Sequence, residues 1–232
     1  MQDLLLDENR RLKAENERLK YEVYHDDLTG LFNVRSFRNE IEESITFKTP
    51  FLWLMIDVDN FGSINKTHSH AGADEILKQI SRSLQKAIRK QDAFAYRYGG
   101  DEFFILIKNA DEKKAIGIAN RLCHKIKASP FYLDKDKTKP IAEQITISIG
   151  ITSYKGDEEE IKAIRARVER ALQVAKRSGK NQFQSIPKEE KEEGQELTNT
   201  MNNQNINQNK VNQKVNQKVN QKVNQEATKY HE

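Results

Sequence analysis

The chain of 232 residues has room for one domain of ordinary size plus extensions, and its net charge of +4 is modest. A single cysteine excludes a disulfide framework and fits a reducing compartment, and no apolar run approaches the length that crosses a membrane. We therefore expect a cytoplasmic protein with no membrane segment, and the weak positive charge does not indicate a nucleic-acid surface.

Residues 1–24 predict a helix that pairs with a second copy of itself. Apolar and amide side chains alternate in steps of four and three, at Leu5, Asn9, Leu12, Asn16, Leu19 and Val23. Asparagine at a core position favours a parallel, in-register dimer, because only there can the two amides pair. We expect a coiled-coil dimerisation helix; the alternative is an amphipathic helix that lies on its own domain.

Residues 25–186 predict one globular domain in which helices and strands are mixed. Apolar residues at helical spacing predict four helices, at 33–46, 71–88, 112–128 and 158–178. Strand-like runs lie at 51–58, 93–98, 103–107 and 145–153, and a short edge strand is expected at 182–186. Helices combined with one adjacent hairpin indicate an α+β sandwich rather than a doubly wound parallel sheet.

The predicted hairpin carries Gly99 and Gly100 followed by Asp101 and Glu102. Two glycines at this place predict a tight turn that needs positive φ, and they let a bulky anionic ligand approach the main chain. Paired carboxylates at the tip of a hairpin suit metal ligation or general-base work. A solvated turn explains the glycines equally well, so the tip alone leaves both interpretations open.

The strand predicted at 51–58 ends in acidic residues, with Asp57 and Asp59 on either side of Val58. Acids where a sheet meets a loop are a common place for a divalent metal. If this strand neighbours the hairpin, Asp57 and Asp101 converge, and the Val58 carbonyl adds a third oxygen. Mg²⁺ favours such sites, in which few carboxylates act together with phosphate oxygens. The alternative is a polar start to a loop.

Six blocks of residues, in order between positions 26 and 181, resemble the GGDEF-domain diguanylate cyclases. The match covers about two thirds of the chain, and six ordered blocks at compatible spacing are far more specific than one. The blocks are Asp27–Leu31, Asp57–Phe61, the positions Asn65, His70 and Asp74, then Arg97–Phe103, Thr146–Gly150, and a last group of Ala171, Leu172, Ala175, Lys176, Gly179 and Asn181.

The resemblance implies a palm-like central antiparallel sheet flanked by helices. It also implies condensation of two GTP molecules into cyclic di-GMP with release of two pyrophosphates, and Mg²⁺ or Mn²⁺ as the cofactor. Each protomer of this family holds one GTP, so the half-sites of a homodimer must face each other. A parallel coiled coil at residues 1–24 would raise the effective concentration of the two half-sites.

By position, the resemblance assigns particular roles to residues of this chain. The metal falls to Asp57, the Val58 carbonyl, Asp101 and Glu102, and Glu102 is the candidate to accept the proton of the attacking hydroxyl. The GTP-binding positions are Asn65 and Asp74 at the guanine edge, together with Phe61, Lys66, Gly99, Gly100, Lys176 and Lys180 around the rest of the nucleotide. A carboxylate at position 74 suits the donors at guanine N1 and N2, so we expect GTP rather than ATP.

Three departures from the family pattern bear on activity. Gly62 stands where the family usually has Lys near the phosphates, Lys66 where it usually has Asp, and Lys180 where it has Arg. If a helix begins near Phe61, positions 62 and 66 lie one turn apart and Lys66 would reach the emptied site; the alternative is an exposed lysine. These changes keep a second function open, a degenerate domain that binds GTP or cyclic di-GMP without turnover.

An Arg-x-x-Asp pattern upstream of the hairpin resembles the product-inhibition site of the family. Its residues are Arg89 and Asp92, which lie one position further upstream than usual. A bulge in the following strand would restore the pair, and a plain surface turn explains the same residues.

Residues 187–232 are rich in Asn and Gln, and Lys-Val-Asn-Gln occurs four times in tandem at 210–225. Such a segment has too few apolar residues to form a core, so we expect a disordered tail. The alternative is a helix whose valines bind a partner. An interaction protein that acts through its helix and tail is therefore a third functional class, but it would not require the acids of the central domain.

Overall fold

The computed structural model describes residues 2–88, 93–157 and 159–188. Arg89, Asp92 and the segment of Lys-Val-Asn-Gln repeats lie outside the described residues. The elements in chain order are α1 (Gln2–Tyr24), α2 (Val34–Thr46), β1 (Phe51–Val58), α3 (Phe61–Thr67), α4 (His70–Ala87), β2 (Ala93–Gly99), β3 (Glu102–Lys108), α5 (Glu112–Ala128), β4 (Ile147–Tyr154), α6 (Ile161–Arg177) and β5 (Phe183–Ser185).

The strands form one sheet in the order β2-β3-β1-β4-β5, with helices on both faces. β1 pairs antiparallel with β3 and with β4, and β2 and β3 form the predicted hairpin. The fold class is therefore α+β, as the sequence predicted. One detail differs from a wholly antiparallel sheet, because the edge strand β5 runs parallel to β4. A parallel pair needs a long crossover, and α6 supplies it.

β1 is the centre of the structure, and every one of its residues is buried. Its alternate side chains serve two cores: Leu54 and Ile56 pack against the α3, α4 and α5 side, whereas Trp53 and Met55 pack against α2 and α6. A strand covered on both faces needs apolar residues at successive positions, which explains its unbroken apolar run.

Capping residues in the sequence set the beginnings of several helices. The side chains of Asn33, Ser69 and Asp111 each accept a hydrogen bond from a backbone N–H of the helix that follows. The amide of Asn33 also donates to the carbonyls of Val23 and His25 at 2.8 and 3.1 Å, so one residue joins the end of α1 to the start of α2.

α1 is helical, as predicted, and its apolar stripe does not pack on the domain. Leu12 is 60% exposed, and Leu6, Leu19 and Val23 are also exposed. The observation argues against the alternative in which the helix lies along its own domain. Among the described residues, none of the helices combines the length and the apolar character that a membrane crossing requires.

Candidate active site at the end of the central strand

Gly99 is the last residue of β2 and Glu102 the first residue of β3, and the two are paired. The hairpin turn therefore consists of Gly100 and Asp101. Gly100 has φ of +52°, a conformation that glycine adopts without strain. A Cβ added to Gly99 or Gly100 would meet no atom within 4 Å. The surface of the turn is thus open to a ligand.

The end of β1 and the hairpin turn bring three acidic residues together at one end of the strands. Asp57 is the register partner of Glu102 across the β1–β3 pair, and the N–H of Val58 donates to the carbonyl of Asp101 at 3.3 Å. The pairing of two strands therefore brings together the backbone segments that carry these three carboxylates.

Burial and mutual repulsion disfavour the negative charges of this cluster. Burial is the main cause that raises the pKa of Asp57. The hydrogen bond from Lys176 lowers this pKa, whereas the negative charges of Asp101 and Asp59 raise it further. Burial also raises the pKa of Glu102, followed by the charges of Asp57 and Asp101. A cation bound here would relieve both effects.

Lys176 provides a positive charge to the acidic cluster. It lies in the last turn of α6, and its Nζ is 2.7 Å from Oδ2 of Asp57. α6 approaches β4 closely at Gly150, where an added Cβ would lie 2.4 Å from the backbone of Val168 and of Leu172. Glycine at position 150 thus allows the helix that carries Lys176 to pack directly on the sheet.

The donor atoms fit a divalent cation that shares its coordination between this site and other oxygen ligands. Within the described part of the chain, no group of three or more acidic, histidine or cysteine side chains is arranged to hold a metal ion by itself. This end of the strands nevertheless offers the carboxylates of Asp57, Asp101 and Glu102 and the carbonyl of Val58, all hard oxygen donors of the kind that Mg²⁺ uses together with phosphate and water.

Asp59 has a different place from Asp57, although both follow the same strand. Its side chain accepts from the hydroxyls of Thr146 and Ser148 at 2.7 Å each and from the N–H of Asn181 at 3.0 Å. It is only 4% exposed. Asp59 therefore joins the end of β1 to β4 and to the loop after α6. The polar residues in the predicted strand at 145–153 were the only sequence signal of this role.

The loop after α6 places Lys180 beside the start of α3. Lys180 and Asn181 have positive φ of 62° and 47°, and Asn60, which precedes α3, has φ of 59°. The Nζ of Lys180 donates to Oδ1 of Asn60. Lys180 thus points to the same end of the sheet as the acidic cluster, and its present partner is neutral.

The positions predicted to bind the nucleotide around α3 and α4 have mixed surroundings. Asn65 in α3 and Asp74 in α4 are half-buried, and Lys66 is exposed. Phe61 is 5% exposed and packs in the core, so its side chain is not free to contact a ligand. Gly62 is exposed, with open space where a Cβ would lie, one turn before Lys66.

A salt bridge that the sequence did not reveal supports the hairpin turn. Nη1 of Arg97 is 3.1 Å from Oδ1 of Asp26, and its Nη2 donates to the carbonyl of Gly100 at 2.9 Å. Asp26 also accepts from the N–H and the hydroxyl of Thr29. Arg97 belongs to one of the sequence blocks noted above and Asp26 immediately precedes another, but nothing in their spacing predicted that they meet.

A second charged surface lies away from the acidic cluster, between the end of α4 and α5. It is a cleft of about 610 Å³ whose cationic walls are Lys86, Lys113, Lys114, Arg121 and Lys125. Arg89 and Asp92, which the sequence assigned to product inhibition, follow α4 in the chain but are outside the described residues, so that assignment stays a prediction.

Comparisons with known proteins agree on one family. Residues 23–182 match the family described as "Diguanylate cyclase, GGDEF domain". Diguanylate cyclase DosC of Escherichia coli K12 is 34% identical over 169 residues, which are 71% of this chain and 35% of DosC. Diguanylate cyclase A of Treponema denticola is 35% identical over 128 residues, 55% of this chain and 33% of that protein. The chain thus spans about a third of the length of these relatives.

Among solved structures, the coiled coil and GGDEF domain of DgcB from Caulobacter crescentus, in complex with c-di-GMP, has a similar fold. The TM-score is 0.69 and the sequence identity 22%, and the alignment covers 78% of this chain and 95% of the DgcB chain. At this identity the likeness concerns the fold.

Proposed function

The chain belongs to the GGDEF domain family, and from this premise we propose that it is a diguanylate cyclase that condenses two GTP molecules into cyclic di-GMP and releases two pyrophosphates. The observation that carries the proposal is the meeting of Asp57, Asp101 and Glu102 at one end of the strands, with Lys176 on Asp57. The departures of the sequence from its family leave this set of residues intact.

In this proposal Asp57, Asp101, Glu102 and the Val58 carbonyl hold Mg²⁺ or Mn²⁺. A bound divalent cation supplies positive charge to phosphoryl oxygens on which negative charge builds during in-line displacement. Burial of Asp57 and its closeness to the other acids make the ionised cluster unfavourable without a cation, as their raised pKa values indicate. The site is thus prepared for positive charge.

Glu102 is the proposed acceptor of the proton from the attacking 3′-hydroxyl. A general base works best when its pKa lies nearer the working pH than that of an ordinary carboxylate. Burial and the neighbouring acids raise the pKa of Glu102 in this direction. Lys176 and Lys180 are proposed to bind the terminal phosphates, and both Nζ atoms lie at the same end of the sheet.

Recognition of guanine is proposed for Asn65 and Asp74, which lie half-buried on the neighbouring helices α3 and α4. The carboxylate of Asp74 accepts from guanine N1 and N2, which are donors, whereas adenine N1 is an acceptor. Phe61 contributes through its backbone, since its side chain is in the core. Lys66 is proposed to replace the missing cation at position 62.

A homodimer is proposed because each half-site holds one GTP and the reaction needs two. The exposed stripe of α1, which includes Leu12, Leu19 and Val23, provides the surface on which a second copy pairs in parallel. The pairing raises the effective concentration of the second half-site.

The second candidate is a domain that binds GTP or cyclic di-GMP without turnover. Its supporting observation is the open, uncharged surface at Gly62, where the nucleotide loses one cationic contact. Equilibrium dialysis with GTP, followed by mass spectrometry of the nucleotides after incubation with Mg²⁺, separates the two. GTP bound and recovered unchanged supports the degenerate domain, whereas cyclic di-GMP and pyrophosphate support the cyclase.

A further inference from the structure

Lys176 makes an ion pair with the residue that the proposed function gives to the metal. Its Nζ lies 2.7 Å from Oδ2 of Asp57, and the two side chains are 37% and 12% exposed. The other lysine at this end of the strands, Lys180, instead donates to the neutral side chain of Asn60. The ammonium of Lys176 therefore forms an ion pair with a carboxylate of the acidic cluster, whereas the ammonium of Lys180 binds a neutral amide.

An ammonium and a divalent cation compete for the same oxygen. Mg²⁺ binds a carboxylate at about 2.0–2.1 Å, and a lysine ammonium at hydrogen-bonding distance from that oxygen repels it strongly in a half-buried site. A cation that takes Oδ2 of Asp57 must therefore displace Lys176. Release of the lysine and occupation of the site by the cation are one coupled event, and the coupling is reciprocal.

The side chain of Lys176 has room to move away from Asp57, and it can then bind phosphate. Lys176 lines a cavity of about 210 Å³ together with Glu102, Arg165 and Glu169, so it can leave Asp57 without repacking α6. Once free of Asp57, the ammonium is available to the phosphates that arrive with the cation. Before that, it balances the charge of a carboxylate that would otherwise be buried and unpaired.

We propose that Lys176 is a resident counterion of Asp57, which stabilises the acidic cluster before a cation binds and is released to bind phosphate when the divalent cation takes Asp57. This inference rests on the proposed function, from which it takes the metal role of Asp57. It adds that the cation and the nucleotide bind cooperatively, because the phosphate-binding lysine becomes available only when the cation is present.

The test is calorimetric titration of the full chain with Mn²⁺, without nucleotide and at pH 8. Lys176→Met removes the competitor, and we expect its Kd for Mn²⁺ to be about fivefold lower than that of the wild type, the effect of an ion pair of roughly 1 kcal/mol. Lys180→Met and Arg177→Met remove one positive charge nearby without touching Asp57 and should change the Kd by less than about twofold. Asp57→Asn should abolish the binding, which places the ion at Asp57.

Binding of Mn²⁺ by Lys176→Met that is no tighter than binding by Arg177→Met would overturn the inference. Lys176→Gln serves as the second variant if Lys176→Met is not folded. In the wild type labelled with ¹⁵N-lysine, saturating Mg²⁺ should remove the slowly exchanging ammonium signal of Lys176, and a signal that persists at saturation would also overturn it.

These readouts involve no turnover, so the inference and the proposed function fail separately. Tighter Mn²⁺ binding by Lys176→Met in a protein that makes no cyclic di-GMP would defeat the cyclase proposal and leave the counterion role standing. Cyclic di-GMP from the wild type, with equal Mn²⁺ affinity in Lys176→Met and Arg177→Met, would do the reverse.

Discussion

Asp26 and Arg97 form an ion pair, with Nη1 3.1 Å from Oδ1, although they lie 71 residues apart in the chain. Asp26 lies two residues after the end of α1, and the same guanidinium of Arg97 donates to the carbonyl of Gly100. The pair thus connects the N-terminal helix to the turn that carries Asp101.

Arg97→Ala should therefore impair catalysis as well as folding. Loss of the guanidinium leaves the half-buried Asp26 unpaired and the Gly100 carbonyl without its side-chain donor, at a cost of about 2 kcal/mol in the free energy of unfolding. A misplaced turn should lower kcat roughly ten- to a hundredfold. Steady-state kinetics and urea denaturation measure the two effects.

Arg97→Lys is the matched variant for this prediction. It keeps the charge for Asp26 but lacks the planar fork that also reaches Gly100, so it should recover stability better than kcat. Equal recovery of both quantities would show that Arg97 does not position the turn.

Asp57 and Asp59 are expected to respond to substitution in opposite ways. Asp59→Ala leaves the buried hydroxyl of Ser148, the half-buried hydroxyl of Thr146 and a backbone N–H without their shared acceptor and should lower the free energy of unfolding by about 3 kcal/mol. Asp57→Asn should abolish activity with little loss of stability, because burial already disfavours the charge of Asp57. Urea denaturation at pH 7 in EDTA provides the comparison.

The raised pKa of Asp57 also fixes a difference in pH dependence. When the pKa of an acid is higher in the folded than in the unfolded protein, protonation of that acid favours the folded state. Its contribution to the free energy of unfolding is complete below the pKa of the unfolded state and is lost as pH rises through the pKa of the folded state. In EDTA, the free energy of unfolding of Asp57→Asn, measured relative to that of the wild type, should therefore rise from pH 4 to pH 7. If the relative free energy of unfolding of Asp57→Asn instead falls over this range, the ion pair with Lys176 lowers the pKa of Asp57 by more than burial raises it.

Lys66→Ala should raise the Michaelis constant for GTP several-fold, because Lys66 is proposed to replace the cation missing at position 62. Gly62 lies one turn earlier on α3 and has open space around its Cβ position, so a lysine fits there. Gly62→Lys in the Lys66→Ala background should restore the Michaelis constant. An unchanged constant in Lys66→Ala would mean that Lys66 is simply an exposed lysine.

Pairing through α1 predicts an activity that depends on protein concentration. Leu12→Asp and Leu19→Asp place charges in the apolar stripe and should shift the protein to monomers in analytical ultracentrifugation. The specific activity should then fall at low protein concentration and recover as the concentration rises. Arg10→Asp, at an exposed position outside the stripe, is the control. Monomeric variants with full activity at low concentration would refute the dimeric mechanism.

The sequence predicted the local elements well where one strong pattern decided them. The bounds of β1 at Phe51–Val58 and of α5 at Glu112–Ala128 agree with the predicted ranges, because an unbroken apolar run and a capped amphipathic stretch leave little choice. The predicted helix at 158–178 is shorter in the structure, since α6 begins only at Ile161. The helix α3, which the sequence suggested only conditionally, begins at Phe61.

Contacts between distant segments were harder to predict. The approach of Asp57 and Asp101 followed from the pairing of two strands, which a hairpin next to a central strand makes plausible. The three hydrogen bonds to Asp59 and the ion pair of Asp26 with Arg97 depend on how separate segments pack, and no periodicity in the sequence encodes that. Phe61 was assigned to the substrate from its block, whereas its side chain completes the core.

The most direct measurement of the proposed activity is mass spectrometry of the products after the purified chain is incubated with GTP and Mg²⁺, in parallel with Asp101→Ala. The wild type should form cyclic di-GMP and two pyrophosphates for each, EDTA should stop the reaction, and Asp101→Ala should form none. Absence of cyclic di-GMP from the wild type, or undiminished formation by Asp101→Ala, would contradict the assignment of a diguanylate cyclase.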